Sequence, residues 1–298
     1  MNRWLILLIG LWFMPTLQAD SVVSYGQALT LGSVQGVTEF LPVSSSCHML
    51  LANRLLFPNI PSDGASAIVR YIIWINLGTI LVLLGYYRKD WLRIGRGLAG
   101  RDTDGLNLCI KLLCSLLASC VAVCIVKPLT SWLTIDQTSY TIMGCGLLLG
   151  GIAIFLMERF QKYAIRRPIT LDTLARRQAI FIGLCQAFAL CPGVSRSLST
   201  ILAGIFVGLT LSEAIHFSFL LGCITSSAQV AVSTLSHFQQ SLELLSLSAL
   251  CGILTAFVVG SCTIRFLFRL LQTKGLIPFG YYRIALGCLL LFVINTPA

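Results

Sequence analysis

The sequence predicts an all-α polytopic membrane protein. It reads as six transmembrane helices plus two opposed re-entrant helix pairs, forming an inverted-topology repeat. Three observations predict this. Of 298 residues, 56% are hydrophobic and only 11% charged, against about 25% charged in soluble domains, and mean hydropathy is +0.87. Basic residues gather in three clusters after alternate apolar runs, as the positive-inside rule places them. The chain also matches itself without a gap when slid so that Gly32 falls on Gly183.

Taken in order, Met1 to Ala19 has Arg3, an apolar run from Trp4 to Met14, Pro15, and a small residue before Asp20. It reads as a signal peptide or an extra N-terminal helix, and either places Asp20 outside. Residues 22–37 and 43–57 are each too short for the roughly 20 residues a crossing needs. Pro42 between them breaks any helix. Two half-helices around a break predict a re-entrant hairpin, tolerated only where it is buried in protein or lines a wet cavity. Residues 67–86 form a span ending at a basic loop of Arg88, Lys89, Arg93, Arg96 and Arg101. Spans at 106–126 and 140–157 follow, the latter leading into Arg159, Lys162, Arg166, Arg167, Arg176 and Arg177. Residues 179–190 and 198–209 are again half-length, around Pro192-Gly193. Spans at 211–232, 242–262 (meeting Arg265, Arg269 and Lys274) and 277–294 complete the count.

With the basic clusters inside, the topology closes only if residues 22–57 begin and end outside and residues 178–209 begin and end inside. Residues 20–298 then form one membrane domain with repeat halves at about 22–157 and 178–294. The self-match superposes Gln35 on Gln186, Val43 on Val194, Ser44 on Ser195 and Ser46 on Ser197, and sets Ser45 against Arg196. Broken helices in inverted repeats commonly build sites at the membrane midplane.

The net charge of +10 is explained by these loops and is no nucleic-acid footprint, since no basic face is interleaved with aromatics. The twelve cysteines are scattered through apolar runs with no CxxC pair. They read as small packing residues rather than a disulfide framework or zinc site.

A charged side chain at a helix centre costs roughly 2.5–3.5 kcal/mol on insertion scales. Glu39, His48 and Arg196, near the two breaks, therefore need partners, a cavity or a charged ligand. A structural Glu39–Arg196 bridge and a packing His48 would answer for single residues. Two breaks with polar groups in matching register point instead to a phosphate site. Ser44, Ser45, Ser46, Ser195 and Ser197 at half-helix N-termini favour an anion, and Arg196 offers a planar fork for phosphate oxygens. A serine beside a carboxylate and an imidazole can be an activated nucleophile. Glu39 could equally hold a divalent cation that bridges phosphate oxygens.

Residues 35–48, Gln-Gly-Val-Thr-Glu-Phe-Leu-Pro-Val-Ser-Ser-Ser-Cys-His, resemble the first signature of the undecaprenyl-diphosphatases, the bacitracin-resistance family: Glu-Gly-x-Thr-Glu-Phe-Leu-Pro-x-Ser-Ser-Thr-Gly-His. Residues 192–197, Pro-Gly-Val-Ser-Arg-Ser, resemble the second, Pro-Gly-x-Ser-Arg-Ser-Gly. Phe217 to Leu221, Ile277-Pro278-Phe279 and Tyr282-Arg283 are similar too, so the likeness runs from about residue 25 to the C-terminus. The resemblance implies a multi-pass enzyme of the bacterial inner membrane with its site toward the outer face. Such an enzyme removes the terminal phosphate of undecaprenyl diphosphate, recycles the lipid carrier for peptidoglycan synthesis and confers bacitracin resistance. It implies Glu39, Ser45, His48 and Arg196 as catalytic residues, with Ser45 and His48 both candidate nucleophiles. It implies Gln35, Ser44, Ser46, Ser195 and Ser197 as substrate contacts, Mg2+ or Ca2+ at Glu39, membrane lipid around the chain, and is compatible with a homodimer. Several positions depart from the pattern, four of them in chemistry or bulk. Gln35 replaces the first glutamate of Glu-x-x-x-Glu, Cys47 and Leu198 replace glycines, and His216 replaces an acidic residue. A polyprenyl-phosphate flippase, needing only anion-binding groups and alternating access, or a divergent homologue of low activity, are the alternative readings.

Overall fold

The structure, a computed structural model, describes residues 23–57, 62–129, 140–164, 168–242 and 246–292; the expected N-terminal segment 1–19 lies outside them. The described chain is helical: α1 (Tyr25–Thr38), α2 (Ser45–Leu56), α3 (Ser62–Trp74), α4 (Asn76–Tyr86), α5 (Arg88–Leu98), α6 (Thr103–Leu129), α7 (Tyr140–Ala164), α8 (Arg176–Cys185), a 3-10 helix (Gln186–Leu190), α9 (Arg196–Phe206), α10 (Leu211–Ser236), α11 (Phe238–Leu242), α12 (Leu247–Lys274) and α13 (Ile277–Phe292). Its one β feature is an isolated bridge between Ile169 and Leu209.

Among the described residues, five stretches are long and apolar enough to cross a membrane: Ile68–Tyr86, Thr103–Pro128, Tyr140–Gln161, Leu211–Ser236 and Leu247–Lys274. They match five of the six expected spans. The sixth is the apolar α13, which at 16 residues is shorter than the other five. The four half-length pieces are short helices, with residues 186–190 tightened into 3-10 geometry.

Two local expectations change. The basic stretch after residue 86 is not a loop. Arg88, Lys89, Arg93 and Arg96 lie on α5, whose Ile94 and Gly97 are buried while Arg88, Lys89 and Arg96 face out. Arg93 ties α5 to the start of α6 through Asp104 at 3.0 Å. The fifth span begins later than expected because Ser246 caps it, its hydroxyl accepting from the Ala249 amide at 3.2 Å. All twelve cysteines are free thiols.

The halves are interlocked. The self-match carries α1 onto α8, α2 onto α9 and, approximately, α6 onto α12. In space α1 packs along α12, and α8 along α6. Each half's first short helix therefore lies on the other half's long helix. The α1–α12 seam is a small-residue contact, which lets helix backbones approach closely. A Cβ on Gly32 would stand 2.4 Å from the Gly252 carbonyl oxygen, and one on Gly36 2.8 Å from the Gly260 nitrogen. Overpacking of this kind costs about 1–3 kcal/mol. We expect Gly36→Val to lower the detergent melting temperature clearly. Gly26→Val should melt nearer wild type, because nothing lies within 4 Å of the added Cβ. A thermal-shift measurement on both variants checks this.

Candidate active site

The two breaks meet. In the first hairpin α1 ends at Glu39, whose amide bonds the Gln35 carbonyl at 3.0 Å. The chain turns through Pro42, anchored by buried Phe40 and Val43. Ser44 then takes a left-handed conformation, φ 75°, and α2 starts at Ser45. In the second hairpin the 3-10 helix stops at Leu190, Gly193 takes φ 89°, and the Ser195 hydroxyl caps α9 by accepting from the Leu198 amide at 3.3 Å. Gly193 is forced by crowding as well as by φ, since a Cβ there would stand 2.3 Å from the Met143 carbonyl oxygen. Ser44 and Ser195, paired in the repeat, each occupy the residue before a helix start.

Between the breaks lies a cleft of about 240 Å³. Gln35, Glu39, Ser44, Ser45, Ser46, Ser195, Arg196 and Ser197 all line it. Thus eight of the nine expected site residues share one cavity, and the first residues of two half-helices face it. Helix N-termini carry unpaired amides and the positive end of the dipole, which suit an anion.

Glu39 is the hub. Its Oε1 accepts from Arg196 Nη2 at 2.6 Å, across the two hairpins. Its Oε2 accepts from Ser45 Oγ at 2.8 Å and from Gln35 Nε2 at 2.9 Å. The Glu39 side chain is 10% exposed, that of Arg196 26%, so the guanidinium can still meet a ligand in the cleft. Thr225 steers it, accepting from Nη1 at 3.2 Å.

His48 stands apart, one turn along α2 and outside the cleft lining. Its Nδ1 lies 2.8 Å from the Ser44 carbonyl, so Nδ1 carries the proton in that contact. Its Nε2 lies 2.6 Å from the Tyr282 hydroxyl, which donates to it when the ring is neutral. His48 thereby holds the left-handed Ser44 and through it the entry to Ser45. Of the departures, Cys47 and Leu198 are buried in packing clusters away from the cleft. His216 pairs with Asp90 at 3.1 Å and stacks on Tyr87, away from the cleft.

Four residues that support the site had no role assigned from the sequence: Asn76, Thr225, and Tyr282 and Arg283, the last two noted there only as part of the resemblance. Asn76 accepts from Gln35 Nε2 at 2.9 Å and returns its own amide to the Ile72 and Ile73 carbonyls. Arg283 is wholly buried and binds both breaks. Nη1 donates to the Pro42 carbonyl at 3.1 Å, and Nη2 to the Gly193 carbonyl at 2.9 Å and the Gly146 carbonyl at 3.1 Å. A signal was present, since an ionisable residue inside an apolar span marks a functional region by default.

The donor set does not fit a hard cation held by the protein alone. Glu39 is the one carboxylate in the cleft, and its oxygens already accept three hydrogen bonds, one from a guanidinium. Gln35 turns an amide N–H toward it, and Mg2+ and Ca2+ demand oxygen ligands. Among the described residues no three His, Cys, Asp or Glu side chains converge as a metal site requires.

Against known proteins, residues 28–289 match the family described as bacitracin resistance protein BacA. The undecaprenyl-diphosphatase of Alcanivorax borkumensis is 34% identical over 271 residues, covering 89% of this chain and 97% of that protein. That of Neisseria meningitidis serogroup C is 33% identical over 263 residues, 88% and 92%. That of Geobacillus thermodenitrificans is 32% identical over 270 residues, 90% and 97%.

Proposed function

From the premise that this chain belongs to the bacitracin resistance protein BacA family, we infer that it hydrolyses undecaprenyl diphosphate to undecaprenyl phosphate and inorganic phosphate. The carrier lipid is thereby returned to cell-wall synthesis, and bacitracin, an antibiotic resisted by this family, loses effect. The observation that carries this reading is the Ser45–Glu39–Arg196 chain, closed between two hairpins that are 157 residues apart at Glu39 and Arg196.

The diphosphate enters the cleft with its terminal group at the N-termini of α2 and α9. Arg196 turns part of its fork from Glu39 to the phosphate oxygens, as charge-assisted bidentate contacts favour. Ser45 attacks the terminal phosphorus. Its proton passes to Glu39 Oε2, the Ser45 O–P bond forms, and the bridging P–O bond breaks, the departing undecaprenyl phosphate taking that proton from Glu39 as it leaves. Water then attacks the phosphoserine with Glu39 as base, giving inorganic phosphate and restoring Ser45. Charge spreads over the equatorial oxygens in such transfers, so positioning and electrostatic stabilisation supply most of the catalysis. His48 orients Ser44 and Ser45 rather than attacking. No step is routed through a divalent cation.

The helix pattern supports six crossings, with α13 as the sixth, and hairpins α1–α2 and α8–α9 entering from opposite faces of the inner membrane. The basic clusters then face the cytoplasm and the cleft opens outward.

Gln35 tests the metal argument. Adding magnesium to chelator-treated wild type is expected to change phosphate release by less than about threefold, whereas Gln35→Glu, which supplies a second carboxylate, becomes metal-dependent. Binding of Mn2+ followed by paramagnetic resonance gives a readout separate from turnover. Tight Mn2+ binding by wild type equal to that of Gln35→Glu sinks the argument.

A further inference from the structure

The two halves of the repeat are equal in fold and unequal in chemistry, and the difference marks a second subsite. Where the first hairpin carries Glu39, the self-match places Leu190; where it carries Gly36, it places Ala187. On the first side the glycine seam closes α1 against α12. On the second side α8 and α6 run in the same direction and touch only part of the way. The Ser115 hydroxyl donates to the Ala179 carbonyl, and the Ser119 hydroxyl to the Gly183 carbonyl at 2.8 Å. A Cβ on Gly183 would stand 2.1 Å from the Ser115 carbonyl oxygen. Three residues further on, at Gln186, α8 tightens into the 3-10 helix, which changes how this segment lies against α6.

Between them lies an apolar groove of about 270 Å³. Ala122 and Val126 of α6 form one wall, and Leu184, Ala187 and Leu190 the other. Phe188 stands 68% exposed at its rim. Cys191 lines both this groove and the polar cleft, so the two adjoin at that residue.

We propose that this groove takes the first isoprene units of the polyprenyl chain while the diphosphate sits in the cleft, so that the second hairpin supplies Arg196 to the head and its 3-10 helix to the tail. The proposal rests on the hydrolase reading. The occupant follows from adjacency: an apolar chain joined to a diphosphate needs one polar and one apolar compartment sharing a wall, and Cys191 is that wall.

The test uses the full chain in detergent with an undecaprenyl diphosphate analogue carrying a diazirine on its first isoprene unit. After photolysis, adducts are expected on residues 184–191 and on the Ala122–Val126 turn of α6. Excess undecaprenyl phosphate should remove them, and phosphatidylglycerol should not. Leu184→Trp, at a position 44% exposed and so tolerant of bulk, should raise KM for undecaprenyl diphosphate about tenfold with kcat within about twofold. Inhibition by inorganic diphosphate, which needs only the cleft, should not move. Adducts spread over other lipid-facing helices, or displaced equally by phosphatidylglycerol, overturn the proposal. Cross-linking reports position whether or not the phosphate is cut, so a wild type that labels at the groove but releases no phosphate refutes the hydrolase reading alone.

Discussion

Replacing Arg196 with alanine is expected to lower kcat for phosphate release by at least about 10³-fold, the scale of a lost transition-state arginine, while the protein stays folded. Arg196 is the one cationic side chain lining the cleft among the described residues. It also neutralises Glu39 at 2.6 Å in the resting site. The two roles pull in opposite directions. The guanidinium rests on Glu39 Oε1, and meeting the phosphate means leaving it. Loss of the guanidinium removes both the clamp and this exchange. Arg196→Ala leaves Glu39, 10% exposed, without its guanidinium, which costs stability as well, so its kcat is read on folded protein below its own melting temperature. Arg196→Lys keeps the charge but cannot hold Glu39 and Thr225 together, and should recover only part of the rate. The readout is phosphate release beside a melting curve for each variant.

The second large effect belongs to a residue that never meets the substrate. Arg283→Met should cost both stability and rate. The arginine's three hydrogen bonds go to the carbonyls of Pro42, Gly193 and Gly146, in the two breaks and on α7. Each buried acceptor left unpaired costs about 1–3 kcal/mol. Room for the guanidinium is made by Gly150, where a Cβ would stand 2.1 Å from Nη2. Gly150→Ala should therefore displace Arg283 and act in the same direction. A purely structural arginine would give variants that are normal below their own melting temperature. A positioning arginine gives Arg283→Lys a kcat lowered by about 10²-fold with KM near wild type, measured on folded protein. Recovery of full kcat on cooling would remove Arg283 from the account of catalysis.

Both hairpins were legible because their cause is local. Half-length apolar runs and a proline between them leave few other conformations, and the register of Ser44 with Ser195 could be read directly. Pairing of Glu39 with Arg196 was legible too, since a buried carboxylate and guanidinium in one site have few other partners. Asn76, Thr225 and Arg283 were not, because each reaches the site from a span whose local pattern is only apolar. The contribution of such a residue is fixed by how the helices pack, and nothing in its neighbours says which way it faces. His48 lies outside the cleft lining for a related reason. It sits three residues from Ser45, but α2 turns its ring toward α13 and Tyr282, a contact across 234 positions of sequence. The α5 helix was hidden because its charges read as a loop while its buried side is only Ile94 and Gly97. The groove at Cys191 lies between α6 and the 3-10 helix, and how those two elements pack is not written in a register in which the two stretches look alike.

The central claim is that Glu39 and Arg196, from opposite hairpins, work as one unit on a polyprenyl diphosphate. A double-mutant cycle on phosphate release from undecaprenyl diphosphate tests it most directly. Wild type should release phosphate. Glu39→Gln and Arg196→Lys should each lower kcat/KM by roughly 10²–10³, and the double variant should be no worse than the poorer single one, as for groups acting together. Losses that multiply in the double variant, or a wild type that releases no phosphate with magnesium, calcium or chelator, would contradict it.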